Sequence, residues 1–337
     1  MRYSAVVNDV DPATHAGWRS AFAERARAHW TEARVAALAA GKALVLPPVE
    51  AALLLRALGL LRADASLPPT EVRKYWQVSH MVTVLGPALR ALRDRTGTLR
   101  VVDAGCGRSY LTLVLAWLAR ARWGQRLEVF GVDRDPEVIA AGRRRAQVAE
   151  LDDVVRFTVA PLAGLDLAAA WAEAFVRAPD DVAAAEPRGP RAGAVDAVVA
   201  LHACDTATCD AIALGVEAGA DLIAVAPCCQ AELARGWAEL AAAGAAGAFA
   251  PIWSMPHLRR EVAAEVTDAL RTLLLRAAGY DVAAIEFVPS PHTRKNTLIR
   301  AVRRGPPDPE ARAEHDALVV ATGGRALALA ARLAQRR

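Results

Sequence analysis

A β-branched run that stops at an acid and turns on two glycines constrains this chain more than any other feature. Leu99-Arg100-Val101-Val102-Asp103-Ala104-Gly105-Cys106-Gly107 reads as a strand and a tight turn, after which Leu111, Val114, Leu115 and Leu118 repeat at helical spacing. Leu127-Glu128-Val129-Phe130-Gly131-Val132-Asp133 reads as a second strand that also ends in an acid. Strand, crossover helix and strand in that order make a parallel βαβ unit. Gly105 and Gly107 permit the turn and leave room for a ligand, while the helix starting near Ser109 aims unpaired N–H groups at the same place. Asp133 is then placed to accept both hydroxyls of a ribose.

The residue after the turn separates the nucleoside cofactors that use such a unit. Dinucleotide folds add a third glycine so that the helix sits close to the strand and the pyrophosphate rests on its end. Tyr110 stands there in this chain and is too large for that packing. S-adenosylmethionine (SAM) carries no phosphate and tolerates a side chain at that position, so SAM fits better than NAD or FAD. With these residues in view, Asp103 to Gly107 plus Gly131-Val132-Asp133 resembles the first two motifs of the class I SAM-dependent methyltransferases, over roughly residues 74 to 303. Leu201-His202-Ala203-Cys204-Asp205-Thr206-Ala207-Thr208 and Ala226-Pro227-Cys228-Cys229-Gln230 resemble the signature of a smaller group. That group includes the eukaryotic tRNA acceptor-stem 2′-O-methyltransferase and the methyltransferase domain of the glutathione-S-transferase-like C-terminal-domain protein. The resemblance implies a Rossmann-like, seven-stranded α/β methyltransferase fold, SAM as cofactor, and RNA as the substrate class.

Composition narrows the setting. The 337 residues are 54% hydrophobic and 23% charged, enough for one large core plus an accessory region. No apolar run reaches membrane-spanning length, since even Ala51-Ala52-Leu53-Leu54-Leu55 is closed by Arg56 and Arg62. The opening Met1 to Asp9 lacks the layout of a signal peptide, and five cysteines with the adjacent pair Cys228-Cys229 do not make a disulfide framework. A cytoplasmic protein without a membrane partner is expected. The net charge of +4 is compatible with nucleic acid.

Three segments follow along the chain. Residues 1–70 read as an N-terminal helical accessory region, with Val49 to Leu61 as a helix and Ser66-Leu67-Pro68-Pro69-Thr70 as its boundary. Residues 71–303 read as the methyltransferase domain, opening on a helix from Glu71 to about Leu92 that carries Lys74, Tyr75, Gln77 and His80 on one broad face. Pro136 to Ala149 is the second crossover helix with Arg143, Arg144 and Arg145 exposed, and strands follow at 154–159, 194–201 and 221–226. The Pro-, Gly- and Ala-rich stretch 178–191 reads as a flexible surface loop. A helix over 258–278 and an antiparallel pair at 280–287 and 296–302 close the domain. Residues 304–337 read as a helical tail interrupted at Gly323-Gly324.

Ligands in open α/β sheets sit beyond the carboxyl ends of the strands, and the strand tips supply the candidates. For the cofactor these are Asp103, Gly105, Cys106, Gly107 and Asp133, with Lys74 and His80 closing from the preceding helix; Cys106 reads equally as a small filler. His202 and Asp205 are the candidate proton acceptors for transfer to oxygen or nitrogen. Against this, His202 could be a core histidine, and Asp205 could cap the helix that starts at Thr206. Cys204, Cys228, Cys229, Gln230, Lys295 and Asn296 are placed at the substrate. Cys204 and Cys228 also match the places of the cysteines in carbon-5 cytosine RNA methyltransferases, where Cys228 would add to the ring. His202-Ala203-Cys204 and Cys228-Cys229 lack the spacing of paired zinc ligands, so no metal is expected. Methylation of a small molecule or protein, and noncatalytic SAM binding, remain the alternatives.

Overall fold

The computed structural model describes residues 17–93, 97–175, 195–201, 203, 205–227, 230–286 and 297–334. Seven strands form one mixed sheet: β1 (Thr98–Ala104), β2 (Arg126–Asp133), β3 (Val155–Val159), β4 (Ala197–Leu201), β5 (Leu222–Ala226), β6 (Tyr280–Glu286) and β7 (Thr297–Arg303). Their order is β3-β2-β1-β4-β5-β7-β6. β2 runs parallel to β3, β1 to β4 and β4 to β5, whereas β7 is antiparallel to both β5 and β6. The order reverses between β1 and β4, the kind of switch point beyond which open α/β sheets bind ligands. This is the Rossmann-like α/β methyltransferase fold, with helices preceding the sheet.

The helices are α1 (Trp18–His29), α2 (Glu32–Ala39), α3 (Ala52–Ala57), α4 (Pro69–Arg93), α5 (Tyr110–Leu118), α6 (Pro136–Val148), α7 (Leu167–Ala174), α8 (Thr206–Glu217), α9 (Glu232–Ala242), α10 (Ala250–Ser254), α11 (Pro256–Ala277), α12 (Pro309–Ala321) and α13 (Ala328–Ala334). Contacts group the chain into two compact units. One joins Met1–Arg100, Cys106–Ala160 and Ala174–Arg177; the other joins Val101–Gly105, Pro161–Glu173 and Ala178–Arg337. The grouping interleaves along the chain.

In the first unit, α5 is the centre. Its nine residues, YLTLVLAWL, contain no charge and all are buried, as a helix that is apolar all round requires. It lies against β2, with α3 and α4 packed on it. Covering α5 is thus one task of the N-terminal helices. α3 is shorter than the expected 49–61 helix because the chain turns at Gly59, φ +72, and the N–H groups of Leu60 and Leu61 both reach back to the Leu55 carbonyl. Tyr75 does not share the polar face of α4: it is fully buried and its hydroxyl donates to the Leu46 carbonyl at 2.9 Å. Arg145 is likewise buried, and only Arg143 and Arg144 of the arginine run are exposed.

In the second unit, α8 lies against β4 and β5, and α11 against α9, β6 and β7. The tail forms α12 against α11 and α13 against α8, broken at Gly323 and Gly324 as its sequence implies. The short α10 was not legible among the alanines and glycines of 243–251.

Phe157 of β3 sets a steric limit on the first unit. A Cβ on Gly131 would stand 2.6 Å from the Phe157 ring, and one on Gly142 would stand 2.8 Å from Ser109 Oγ and 3.0 Å from the same ring. Gly131→Ala is therefore expected to cost about 1–3 kcal/mol by overpacking. Urea denaturation of the variant against the parent measures it.

Candidate functional site

The glycine turn is held by the end of β2. Gly105 and Gly107 adopt φ +72 and +49, and Ser109 follows at φ +59, so the backbone curls in a conformation that side chains resist. Asp103 is buried at the end of β1, level with Val199 of β4. The N–H of Cys106 donates to the Val132 carbonyl at 3.0 Å, and the N–H of Gly107 donates to Asp133 Oδ2 at 2.9 Å. Asp133 Oδ1 accepts from the N–H of Asp135 at 3.1 Å. A carboxylate offers about four acceptor positions, so the acid that orients the turn keeps capacity for ribose hydroxyls. Cys106 is buried and contributes its backbone. Beside Asp133 in register, Val159 is 46% exposed, an apolar surface at the end of β3 where the sequence offered no adenine contact.

Three cations gather at the start of α5. Lys74 Nζ lies 4.8 Å and the Arg108 guanidinium 5.5 Å from the centre of the Tyr110 ring. Arg145 Nη1 donates to the Arg108 carbonyl at 3.2 Å. Among the described residues none of the three forms an ion pair with a carboxylate. Burial, then the charge of Arg108, pushes the Lys74 ammonium below its usual range against the opposing effect of the Glu71 carboxylate, and burial and Arg108 also lower Arg145. Lys74 Nζ also donates to Gln77 Oε1 at 3.3 Å. His80, the other expected residue of this helix, has Lys42 as its charged neighbour, and the Lys42 ammonium lies 5.5 Å from the Trp76 ring. Burial and Lys42 together lower the His80 pKa. Arg108 and Arg145 were not singled out from the sequence, because one falls inside the turn and the other in an arginine run that reads as a solvated face.

Beyond β4 and β5 the structure gives Asp205 and Gln230 tasks of their own. Asp205 Oδ1 accepts the N–H groups of Ala231 and Glu232, each at 2.8 Å, and Oδ2 accepts from Arg235 at 2.9 Å. Asp205 thus caps the first turn of α9, across 26 residues of sequence, instead of its own helix α8, where its side chain makes no cap. Burial pushes its carboxyl up, but Arg235 and the two N–H groups outweigh this and hold it below the usual carboxylate range. Gln230, expected at the substrate, is buried, and its amide donates to Asp268 Oδ2 at 2.9 Å. His202, Cys204, Cys228, Cys229, Lys295 and Asn296 lie outside the described residues. Among the described residues no group of three or more His, Cys, Asp or Glu could hold a metal ion, and no helix is long and apolar enough to cross a membrane.

The Asp205 clamp has a defined energetic signature. The Arg235 side chain is 60% exposed, so its ion pair contributes little, and the two backbone N–H groups carry most of the effect. Asp205→Ala is expected to lose about 1–2 kcal/mol at neutral pH, the usual range for a lost cap. Because the folded state holds this carboxyl below its unfolded pKa, the contribution is full above the unfolded value and disappears as pH falls through the folded one. Urea titrations at pH 7 and pH 3 should show the gap between parent and variant closing in acid.

Residues 73–236 match the family described as "Methyltransferase domain". No curated protein matches the chain. Among solved structures, cofactor-bound Rv0187 from MTB is 16% identical with a TM-score of 0.36, over 81% of this chain and 95% of that one. SAH-bound methyltransferase PaMTH1 from Podospora anserina is 14% identical with a TM-score of 0.36, over 75% and 88%. Geranyl diphosphate methyltransferase in complex with SAM is 14% identical with a TM-score of 0.36, over 69% and 90%. Likenesses at this level say nothing of the acceptor. The matched segment runs from α4 through the glycine turn and Asp133 to α9: residues 73–236 match a methyltransferase domain, and SAM is the donor that this turn fits.

Proposed function

We propose that this enzyme methylates RNA in the cytoplasm, by direct transfer to an oxygen or nitrogen atom. Asp133 holds the donor's ribose, Lys74 and Arg108 receive its carboxylate beside Tyr110, and Val159 lies under its adenine. The observation that carries the donor geometry is the group of three cations, none in an ion pair among the described residues and with Glu71 as the one carboxylate acting on Lys74, next to a turn whose acid is already oriented by Gly107. Arg145 is buried, Lys74 half-buried and Arg108 exposed, so the positive charge reaches from the interior to the surface, and an anionic ligand group is the partner these residues fit. Bound SAM supplies a methyl group on a sulfonium, which needs no further activation.

What remains for the chain is to align the acceptor and take up its proton. Asp205 is poorly suited to the second task, because both of its oxygens are engaged and its carboxyl is held low. The proton therefore goes to His202 in this reading. RNA is supported by the likeness of Leu201–Thr208 and Ala226–Gln230 to the tRNA methyltransferase group and by the net charge of +4. Cys204, Cys228, Cys229, Lys295 and Asn296 would line the acceptor side.

Donor binding is tested by calorimetry. Asp133→Ala should weaken SAM by about 1.5–3 kcal/mol, the range for a charge-assisted hydrogen bond. Lys74→Met or Arg108→Met should weaken SAM but leave 5′-methylthioadenosine, which has no carboxylate, unchanged. Since carboxylate binding needs the Lys74 ammonium charged, SAM affinity should fall as pH rises through its lowered pKa. Equal losses for both ligands would remove the carboxylate assignment.

The acceptor is tested in cells. Nucleoside mass spectrometry of a deletion strain should show the loss of one methylated ribonucleoside present in the parent, and His202→Ala should reduce turnover by roughly a hundredfold with SAM affinity kept. Unchanged RNA, with label from SAM passing instead to protein or small molecules, would overturn the RNA assignment.

A further inference from the structure

One buried ion pair ties the segments after β4 and β5 to α11. Arg271 is 1% exposed, and its Nη1 donates to Asp268 Oδ1 at 2.9 Å. Its Nη2 donates to the Asp205 carbonyl at 2.8 Å and lies 3.4 Å from Cys209 Sγ. The other Asp268 oxygen accepts from Gln230 at 2.9 Å. A single pair on one helix face therefore holds a backbone atom that follows β4 and a side chain that follows β5.

Stability alone does not account for it. A buried ion pair is a weak source of stability, and apolar residues of similar volume often serve as well or better. Asp205 also sits at φ +52, ψ −115, a backbone conformation that persists only where surrounding contacts over-determine it. Those contacts are present: three hydrogen bonds to its carboxylate and one from Arg271 to its carbonyl.

We propose that Asp268 and Arg271 are positioning residues for methyl transfer, fixing the backbone at Asp205 and the side chain at Gln230 in the two segments that carry the acceptor. The inference rests on the reading that these segments carry the acceptor. The partners of the pair are Asp205, Cys209 and Gln230, and none of them belongs to the glycine turn or to Asp133. Loss of the pair should therefore separate turnover from donor affinity.

The test compares the full chain with Arg271→Lys, Asp268→Asn and the double variant Asp268→Asn/Arg271→Met. The double variant removes both charges together, so no buried charge is left unpaired to unfold the chain. Three quantities are measured: SAM affinity by calorimetry, amide hydrogen exchange by mass spectrometry, and label transfer from SAM to total cellular RNA. The double variant should bind SAM within about twofold of the parent, exchange the Ala231 and Glu232 amides at least tenfold faster, and lose at least tenfold in kcat with KM for SAM unchanged. Arg271→Lys, which keeps the charge, should recover part of both losses. Unchanged kcat would overturn the proposal. So would exchange that rises throughout α11, β6 and β7 with SAM affinity lost, because that pattern is a general loss of folding. A parent that transfers no label to RNA counts against the RNA acceptor alone; the exchange of Ala231 and Glu232 then decides whether the pair positions these segments.

Discussion

The hydrogen bond from the Gly107 N–H to the Asp133 carboxylate is the constraint on which the placement of the glycine turn depends. It joins the turn after β1, where three of five positions have positive φ, to the end of β2. Other contacts converge on the same place. α5 is buried on every side, so its start cannot slide along the core; Ser109, fully buried at that start, faces a glycine, Gly142, where α6 comes too close for a Cβ. Phe157 occupies the space left by both Gly131 and Gly142. Asp133 is thus positioned by packing and by backbone N–H groups, and such preorganisation lowers the ordering cost of any ligand it takes.

Much of the fold was legible because its strands are short and rich in Val, Ile, Leu and Ala, and each stops at a turn residue. The runs ending at Asp103, Asp133 and Val159 matched β1 to β3 closely, and the 280–287 and 296–302 pair became β6 and β7. Misreadings came where local pattern and tertiary contact disagree. Tyr75 looks polar on a helical wheel, yet its hydroxyl has a buried carbonyl partner at Leu46 that only the folded chain supplies. Arg145 sits in a run of three arginines and is turned inward by the carbonyl of Arg108, 37 residues away in sequence. The expected 49–61 helix lost its ends to a glycine whose positive φ turns the chain back on Leu55.

The site was legible as far as its elements were local. The glycine turn and Asp133 lie in one βαβ unit, and their pattern on the chain is their pattern in space. Asp205 and Gln230 could be placed at strand tips but not given a task. What determines that task lies on α11, with Asp268 and Arg271 38 and 66 residues beyond Gln230 and Asp205. Nothing in the helical pattern of 256–277 marks an arginine as the partner of a backbone carbonyl in a distant segment. Lys74 was singled out because it stands on the helix that precedes β1, whereas Arg108 had no such flag.

Two aspartates at the ends of parallel strands show how accounting for charge and hydrogen bonds separates binding groups from supporting ones. Asp133 and Asp205 each accept backbone N–H groups, and on the sequence both look like acids beyond a strand. Asp205 takes two N–H groups and an arginine on its carboxylate while a second arginine holds its carbonyl, so the residue is engaged on every side that the fold can reach. Asp133 takes one N–H group on each oxygen and keeps acceptor capacity. The cations divide in the same way. Arg271 is buried against Asp268 and has protein partners, whereas Lys74, Arg108 and Arg145 gather around Tyr110 without forming an ion pair among the described residues. A buried charge that the chain itself pairs is part of the scaffold. Of the three near Tyr110 only Arg145 is buried, Lys74 is half-buried and Arg108 is exposed, so the positive charge at the start of α5 reaches the surface, where an anionic group can meet it.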